Sequence, residues 1–300
     1  MSEGAQSARS GRGFRTLLVL LALGYLVLFS AFPLLYNVVI SFQDIDLFSL
    51  ADLRKPFVGF ANYRALFARP EFWPILWNTV LFVTLSIVFQ VTIGFLLAMF
   101  FLQEFPGAST IRGLFLAGWI VPGLVVGAIW KWILAGDFGV LNYALTSLHL
   151  SSAKIFWLSD PKIALYAVIL VNIWLGVPFN MLLLSVGLAA IPKDVYEAAA
   201  IDGAGPLMRF ARITLPLMRA SLGAVISLGV VFTLHQFDLI AALTQGGPSD
   251  SSNVAQFWSW QLSFQTYEIG QGATISVLMI LVVVVVALVY VRSTRLEQAA

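Results

Sequence analysis

Six long apolar runs constrain this chain more than any other feature. A helix of about 20 apolar residues crosses the hydrocarbon core of a bilayer, and each run is close to that length or longer. The chain is 60% hydrophobic and only 11% charged, which is too apolar for a water-soluble globule. It is therefore predicted to be an all-α integral membrane protein with six transmembrane helices. The predicted spans are Leu17–Ile40, Ile75–Leu102, Ile111–Leu134, Ile163–Ala190, Ala220–Ala242 and Ala273–Val291.

The first apolar run is predicted to be an uncleaved spanning helix rather than a signal peptide. It exceeds the roughly 7 to 15 residues of a signal-peptide core, and no small-residue cleavage site follows it. Pro33 is expected to kink it. The predicted organisation is a flexible tail over residues 1–16, an outer loop over 41–74, a core domain over 75–291 that contains a polar loop at 191–219, and a second tail over 292–300.

The distribution of basic residues predicts the orientation in the membrane. Six spans place both termini on one side, and cytoplasmic segments carry an excess of Lys and Arg. Ten of the 17 basic residues lie on the side of the termini and of the loop 191–219. We therefore expect the protein to lie in the cell membrane (the inner, or cytoplasmic, membrane). Its two termini and the loop 191–219 are expected to face the cytoplasm. The ten are Arg9, Arg12, Arg15, Arg112, Lys193, Arg209, Arg212, Arg219, Arg292 and Arg295.

Several classes of chemistry have no support in the sequence. The chain has no G-x-x-x-x-G-K-[ST] loop for ATP, no H-E-x-x-H, no G-x-S-x-G and no Cys. Its two histidines, His149 and His235, are far apart in sequence, so a metal site is not expected. The basic residues form no stripe that would bind nucleic acid. We therefore predict no catalytic residue, no metal and no cofactor in this chain.

The polar loop between the fourth and fifth spans is predicted to form a helix, an elbow and a second helix. The first helix can begin near Asp194, whose charge suits the helix dipole. Gly203 is expected to end it, because Gly tolerates the left-handed backbone of a helix terminus, and Pro206 can open the next helix. The small side chains of this segment would let it enter a groove on a partner, although a solvated loop is the plainer alternative.

The order of residues in this loop resembles the signature of the membrane subunits of binding-protein-dependent ABC importers. Other segments, Phe57–Tyr63 with Asn78-Thr79 and the loop Leu243–Pro248, look like those of sugar-type and maltose-type permeases. The resemblance implies a type I ABC importer permease fold with a cytoplasmic coupling helix. It also implies a second permease subunit, two copies of an ABC ATPase that bind ATP and Mg, and an extracytoplasmic sugar-binding protein. The positions that carry the coupling signature are Glu197, Ala198, Ala199, Asp202, Gly203, Ile213, Leu215 and Pro216.

A helical face in the fifth span has the residues that sugar recognition requires. Its positions i, i+3, i+4 and i+7 supply a small residue, an aromatic ring, a hydroxyl and an amide. The fourth span has a similar face, with Asn172, Trp174 and Asn180 as neighbours, and both faces could equally serve helix packing. The resemblance implies that these positions contact sugar, although several side chains differ in kind from the maltose-type pattern. The candidate residues are Leu175, Gly176, Phe179, Gly229, Phe232, Thr233 and Gln236.

Asp238 is the remaining candidate on the substrate path. An ionisable residue within a membrane span is a functional candidate, but Asp238 could equally lie at the outer interface, hydrated or paired with Lys131.

We predict a permease subunit that imports a sugar, a di- or oligosaccharide of the trehalose or maltose type, and that is not itself an enzyme. The alternatives are import of glycerol phosphate or another small anion, and an ATP-independent channel. The absence of Lys and Arg within spans four and five argues against an anion.

Overall fold

The computed structural model describes residues 3–49, 55–103 and 105–299, with side chains over 15–49, 55–103 and 105–293. The described residues are mainly helical and form no β-strand, which confirms the predicted all-α class. Parts of the predicted tails lie outside this description, namely residues 1, 2 and 300 and the side chains of Arg9, Arg12 and Arg295. The helices are α1 (Glu3–Leu26), α2 (Phe32–Ser41), α3 (Ala61–Ala68), α4 (Phe72–Phe101), α5 (Ala108–Ile120), α6 (Gly123–Ile133), α7 (Val140–Ser147), α8 (Ala164–Ala189), α9 (Lys193–Ile201), α10 (Pro206–Arg209), α11 (Leu215–Leu217), α12 (Arg219–Leu234), α13 (Asp238–Leu243), α14 (Ala255–Trp260) and α15 (Ile269–Ala299).

Four helical stretches of the described chain are long and apolar enough to cross a membrane by themselves. Two bent helix pairs raise the number to six if each pair counts as one span. The predicted total of six is therefore reached only with the bent pairs. The four stretches are Arg15–Ser41, Phe72–Phe101, Ala164–Ala189 and Ile269–Ser293, and the pairs are Ala108–Ile120 with Gly123–Ile133 and Pro206–Leu217 with Arg219–Leu234.

The third predicted span is not one straight helix. It divides into α5 and α6, which meet at an angle of 99°. The cause is Pro122, which lacks a backbone N–H and disfavours helical geometry in the residue before it. Val121 is accordingly extended, with φ −65° and ψ 131°.

The fifth predicted span, Ala220–Ala242, is also broken. Helix α12 ends at Leu234 and α13 begins at Asp238. At the break, Nδ1 of His235 lies 2.8 Å from the carbonyl oxygen of Val231, so the ring bonds the end of its own helix.

Two prolines inside helical stretches are accommodated by π-helical turns. A proline ring clashes with the carbonyl four residues earlier, and a π turn widens the helix by one residue. The turn Val27–Ala31 precedes Pro33, and the turn Phe210–Thr214 precedes Pro216. Helix α1 also begins at Glu3, so the backbone is helical where the sequence predicts a flexible tail.

The described chain divides into two compact units, and the first comprises residues 1–66 and 261–277. In this unit Asn62 fixes the start of the outer loop, because its Nδ2 donates to the carbonyls of Ser41 (3.0 Å) and Gln43 (2.8 Å). Tyr63 adds a hydroxyl contact of 2.9 Å with Ser41. In the same loop, hydrogen bonds from Ser49 lower the pKa of the exposed Asp46 carboxyl.

The second unit comprises residues 67–260 and 278–300, and its most extensive contact joins α4 and α8. Two apolar clusters lie along this helix pair. One is built around Phe82, Val168 and Leu239, and the other around Phe95 and Met181. Between the clusters, both helices carry polar residues.

Glycines allow α4 and α8 to approach closely at this polar level. A Cβ at Gly94 would lie 2.9 Å from Cβ of Asn180 and from the backbone nitrogen of Met181, while a Cβ at Gly176 would lie 2.3 Å from Cδ of Gln90. Each helix therefore places an amide side chain against a glycine of the other.

We expect Gly94→Leu to destabilise the protein by about 1–3 kcal/mol, because the new side chain meets the α8 backbone rather than a flexible group. Thermal unfolding of the purified protein in detergent measures this loss. Gly24→Leu is the matched control, since no atom beyond the chain neighbours and the helix's own backbone lies within 4 Å of a Cβ at Gly24. Equal unfolding temperatures for the two variants would contradict the close α4–α8 contact.

Candidate functional site

The candidate substrate residues of the fourth and fifth spans line one cavity of about 140 Å³ within the second unit. Leu175, Gly176 and Phe179 come from α8, Gly229, Phe232 and Thr233 come from α12, and Gln236 follows α12. The structure therefore brings seven of the eight predicted substrate-path residues together. The complete lining is Gln90, Trp119, Asn172, Leu175, Gly176, Phe179, Asn180, Gly229, Phe232, Thr233 and Gln236.

One side of the cavity is an array of three aromatic rings. Trp119 stacks on Phe179 with ring centroids 4.9 Å apart and an interplanar angle of 21°. Phe232 meets Phe179 edge to face at 5.4 Å and 87°. Phe232 is 57% exposed and Trp119 42% exposed in this single chain. The array therefore offers flat apolar surface to a ligand or to a neighbouring subunit.

The polar side of the cavity is a cluster of buried amides. Nε2 of Gln90 donates to the carbonyl oxygen of Asn172 at 2.8 Å, and Nδ2 of Asn180 donates to the carbonyl oxygen of Gly176 at 2.9 Å. Asn172 Nδ2 and Asn180 Oδ1 are buried without a hydrogen-bond partner. A buried polar atom without a partner costs about 1–3 kcal/mol. The cavity wall thus holds hydrogen-bonding capacity that the protein itself does not use.

Gln90 and Trp119 line the cavity but were not among the predicted site residues. Both lie outside the two spans whose helical faces indicated the site. Gln90 carried a usable signal, because an amide within the apolar run of α4 is a functional candidate in a membrane helix. For Trp119 the sequence offers no such signal. It lies three residues before Pro122, and this position does not indicate a cavity.

Asp238 is the one predicted substrate-path residue outside the cavity. It lies at the start of α13 and is exposed. Its carboxylate packs over Gly123, where a Cβ would lie 3.2 Å from Oδ2. Within the part of the chain that the structure describes, Asp238 makes no ion pair with Lys131. A carboxylate beside the first residue of α6 suits the positive end of that helix.

The Gly-Gly-Pro loop after the fifth span lines a second cavity of about 900 Å³, together with Lys131 and Phe156. Asn78 of α4 holds this loop in place, because its Nδ2 donates to the carbonyls of Asp250 (3.1 Å) and Ser251 (3.2 Å). The loop is therefore fixed to α4 of the second unit.

The predicted elbow is present at Gly203, which has φ +77°. The backbone N–H of Gly203 donates to Ala200, and that of Ala204 donates to Ala199. This pair of bonds is the Schellman termination, in which glycine occupies the left-handed position. Helix α9 therefore ends where the sequence predicts. The elbow segment, residues 193–216, then continues through α10 and the π turn.

The elbow segment presents an unpartnered surface. Ile201 is 87% exposed and Leu207 is 80% exposed, on either side of the Gly203 turn. Glu197 and Asp202 are exposed and form no ion pair among the described residues. Such apolar exposure flanked by free carboxylates is typical of a protein contact surface.

A hydrogen bond attaches this surface to the helix core. The hydroxyls of Tyr196 in α9 and Thr214 in the π turn lie 2.9 Å apart. The Tyr196 ring packs against the apolar cluster that contains Phe95 and Met181. Tyr196 therefore ties α9 to the π turn and to this apolar cluster.

Among the described residues, no group of three His, Asp or Glu side chains could hold a metal ion. Seven of the predicted substrate-path residues meet at the cavity, and the predicted coupling residues all lie in the elbow segment.

Comparison with known proteins identifies the family. Residues 90–297 match the family described as "Binding-protein-dependent transport system inner membrane component". The chain is 34% identical over 247 residues to the trehalose/maltose transport system permease protein MalF of Thermococcus litoralis, covering 81% of this chain and 82% of that protein. It is 33% identical over 286 residues to the sulfoquinovosyl glycerol transport system permease protein SmoG of Agrobacterium fabrum, covering 94% and 92%.

A solved structure supports the fold. The chain superposes with a TM-score of 0.81 on a chain of a bacterial ABC transporter involved in the import of the acidic polysaccharide alginate. The match covers 98% of this chain and 99% of the other, at 19% sequence identity. The predicted importer permease fold is therefore confirmed.

We expect Tyr196→Phe to loosen α9 from the core, because the ring stays packed while the bond to Thr214 is lost. A net loss of about 1 kcal/mol is typical for one hydrogen bond. Hydrogen–deuterium exchange of the amides in Lys193–Ile201 should become several-fold faster. Thr214→Val should have the same effect, and the double variant should add little to either. Additive effects would show that the two hydroxyls do not act as a pair.

Proposed function

The chain belongs to the inner-membrane components of binding-protein-dependent transport systems, and from this membership we propose that it is the permease subunit of an ATP-driven ABC importer for a di- or oligosaccharide. A permease of this family is a transport subunit and not an enzyme. The observation that carries the sugar assignment is the lining of the cavity by aromatic rings, amides and a hydroxyl. Rings stack on the apolar face of a sugar, and amides and hydroxyls bond its hydroxyl groups.

The charge of the lining favours a neutral sugar over glycerol phosphate or another small anion. None of the residues that line the cavity is Lys, Arg, Asp or Glu. A buried anion requires a positive partner, and this chain supplies none there. The trehalose and maltose named for the Thermococcus litoralis relative are neutral, so they are the first cargo class to test.

The size of the cavity supports a two-chain site. A small-molecule pocket typically has a volume of about 300–1,000 Å³, whereas this cavity has about 140 Å³. The aromatic array at its edge is also largely exposed in the single chain. We therefore propose that a second permease subunit covers Phe232 and Trp119 and completes the cargo site.

The elbow segment is the proposed contact with the ATPase. Its residues Glu197, Gly203 and the rest of the coupling signature form a turn of defined geometry with exposed apolar and acidic side chains. Two ATPase subunits would bind ATP and Mg and would dock on this segment and on its counterpart in the second permease. An ATP-independent channel would not require such a surface.

The proposed orientation follows from the positive-inside rule. Both termini and the elbow segment would be cytoplasmic, where ATP is available. The loops of the opposite side, including the Gly-Gly-Pro loop that Asn78 holds, would then face an extracytoplasmic sugar-binding protein. That protein would deliver cargo to the outer side of the membrane.

The proposal is tested by reconstituting the chain with its second permease, its ATPase and its binding protein in liposomes. We expect uptake and ATP hydrolysis to rise with one neutral sugar from a panel of maltose, trehalose and longer glucose oligomers, and only when the binding protein is present. Stimulation by glycerol phosphate alone would overturn the sugar assignment. Uptake without ATP would favour a channel.

The same assay tests the cavity. Phe232→Ala and Gln236→Ala should each lower the uptake rate about 10-fold, because each removes a surface proposed to contact the cargo. Ser293→Ala is the matched control, since the Ser293 hydroxyl bonds only its own helix at Tyr290. Co-purification of all subunits shows that the complex is intact. Unchanged uptake by both cavity variants would show that Phe232 and Gln236 serve helix packing rather than cargo binding.

The coupling assignment predicts a different pattern of loss. Glu197→Lys reverses an exposed charge on the docking surface, and Gly203→Val forces a β-branched residue into a backbone conformation of φ +77°. Both variants should remain in the membrane, yet cargo-stimulated ATP hydrolysis should fall at least 10-fold. Arg292→Gln, which removes an exposed charge near the C-terminal end of α15 and outside the elbow segment, should leave it unchanged. Normal coupled hydrolysis in both elbow variants would contradict the assignment.

A further inference from the structure

Gln90 is the only residue of α4 that lines the cavity. The other lining residues belong to α5, α8 and α12 or directly follow α12. Its side chain is 4% exposed and lies at the polar level between the two apolar clusters of the second unit. Burial of an amide between membrane helices is unfavourable unless its hydrogen bonds are made.

One half of the Gln90 amide is firmly held. Nε2 donates to the carbonyl oxygen of Asn172 at 2.8 Å. The amide also lies in the notch at Gly176, where a Cβ would approach Cδ, Nε2 and Oε1 to 2.3–2.6 Å. Only glycine at position 176 leaves room for the Gln90 amide. The orientation of the group is therefore determined by α8.

The other half of the amide is weakly engaged. Oε1 accepts a bond from Nδ2 of Asn180 at 3.4 Å, which is near the outer limit of a hydrogen bond. The same Nδ2 already donates to the carbonyl oxygen of Gly176 at 2.9 Å. Asn180 therefore loses little if its contact with Gln90 is given up. Oε1 is an oriented acceptor in the cavity wall without a strong donor.

We propose that Gln90 is a specificity-determining residue of the cargo site, whose Oε1 accepts a hydrogen bond from a hydroxyl group of the cargo in exchange for its long bond to Asn180. This inference rests on the proposed function, namely that a saccharide enters the cavity. A sugar hydroxyl is the fitting ligand, because it is a neutral donor and the cavity lining carries no charge. The geometry makes α4 a third helix that selects the cargo, beside α8 and α12.

Such a contact would reject a sugar that lacks the hydroxyl concerned. A site built to bond a hydroxyl discriminates against the analogue without it, because the acceptor is then left unpaired in a buried place. For one neutral bond we expect about 5- to 10-fold slower uptake of the matching deoxy sugar. Packing alone produces no such preference.

The test compares uptake of maltose and trehalose with uptake of their monodeoxy derivatives by the reconstituted complex, at saturating binding protein. Gln90→Met keeps the length that fills the Gly176 notch and removes both polar atoms. We expect the wild type to prefer the parent sugar over one deoxy derivative about 5- to 10-fold, and the variant to lose this preference. If the Gln90→Met variant does not co-purify with its partner subunits, Gln90→Leu is used in its place.

Two further variants separate recognition from packing. Gln90→Glu keeps an acceptor and, as a protonated carboxyl at this buried position, a donor, so the preference should be retained. Asn78→Leu removes another bridging amide of α4, one that bonds the loop carbonyls of Asp250 and Ser251. That control should leave the ratio of the two uptake rates unchanged.

The outcomes distinguish this inference from the function on which it rests. If the wild type imports neither sugar, the sugar assignment fails and the role of Gln90 fails with it. If the wild type imports one of them but the Gln90→Met variant keeps every deoxy preference, only the role of Gln90 is overturned. Equal slowing of parent and deoxy sugars by Gln90→Met would likewise assign Gln90 to packing.

Discussion

The close approach of α4 and α8 is the contact on which the rest of the second unit depends. Lipid tails are as apolar as the side chains of membrane helices, so hydrophobicity alone does not hold two such helices together. Here Gly94 lies against Asn180 and Gly176 lies against Gln90, so each helix receives an amide of the other. This arrangement brings the backbones of α4 and α8 close together and buries the two amide side chains between the helices. Both amides, Gln90 and Asn180, line the cavity.

Prolines within the helical stretches are accommodated in different ways. Backbone groups inside a bilayer must be satisfied within the protein, so each proline requires a local solution. Pro33 and Pro216 follow π turns, and Pro122 follows an extended residue that separates α5 from α6. Pro178 lies within α8 and does not end it. The different outcomes show that a proline marks a place of adjustment, while the packing around it selects the adjustment.

The sequence predicted those features that depend on one helix at a time. Apolar length located the spans, Gly203 and Pro206 located the elbow, and helical periodicity placed Phe232 and Gln236 on one face. The features that depend on two helices were missed. Gln90 and Trp119 reach the cavity through the register of α4 and α5 against α8, which no periodicity within one helix encodes. The 99° bend at Pro122 and the break after His235 were missed for a related reason, since a long apolar run favours one continuous helix.

The order of elements along the chain gives the cavity and the elbow segment a direct mechanical relation. The elbow segment is the connection between α8 and α12, and these two helices supply nine of the eleven lining residues when Gln236 is counted with α12. A force on α9 would reach the core through the contact of Tyr196 with Thr214 and with the apolar cluster around Met181. The members of that cluster come from α4, α8 and α12, together with Ile191 and Met218. Under the proposed function, motion of a docked ATPase would enter at the elbow segment, and the cavity, where Asn172 Nδ2 and Asn180 Oδ1 lack partners, would exchange hydrogen bonds with the cargo.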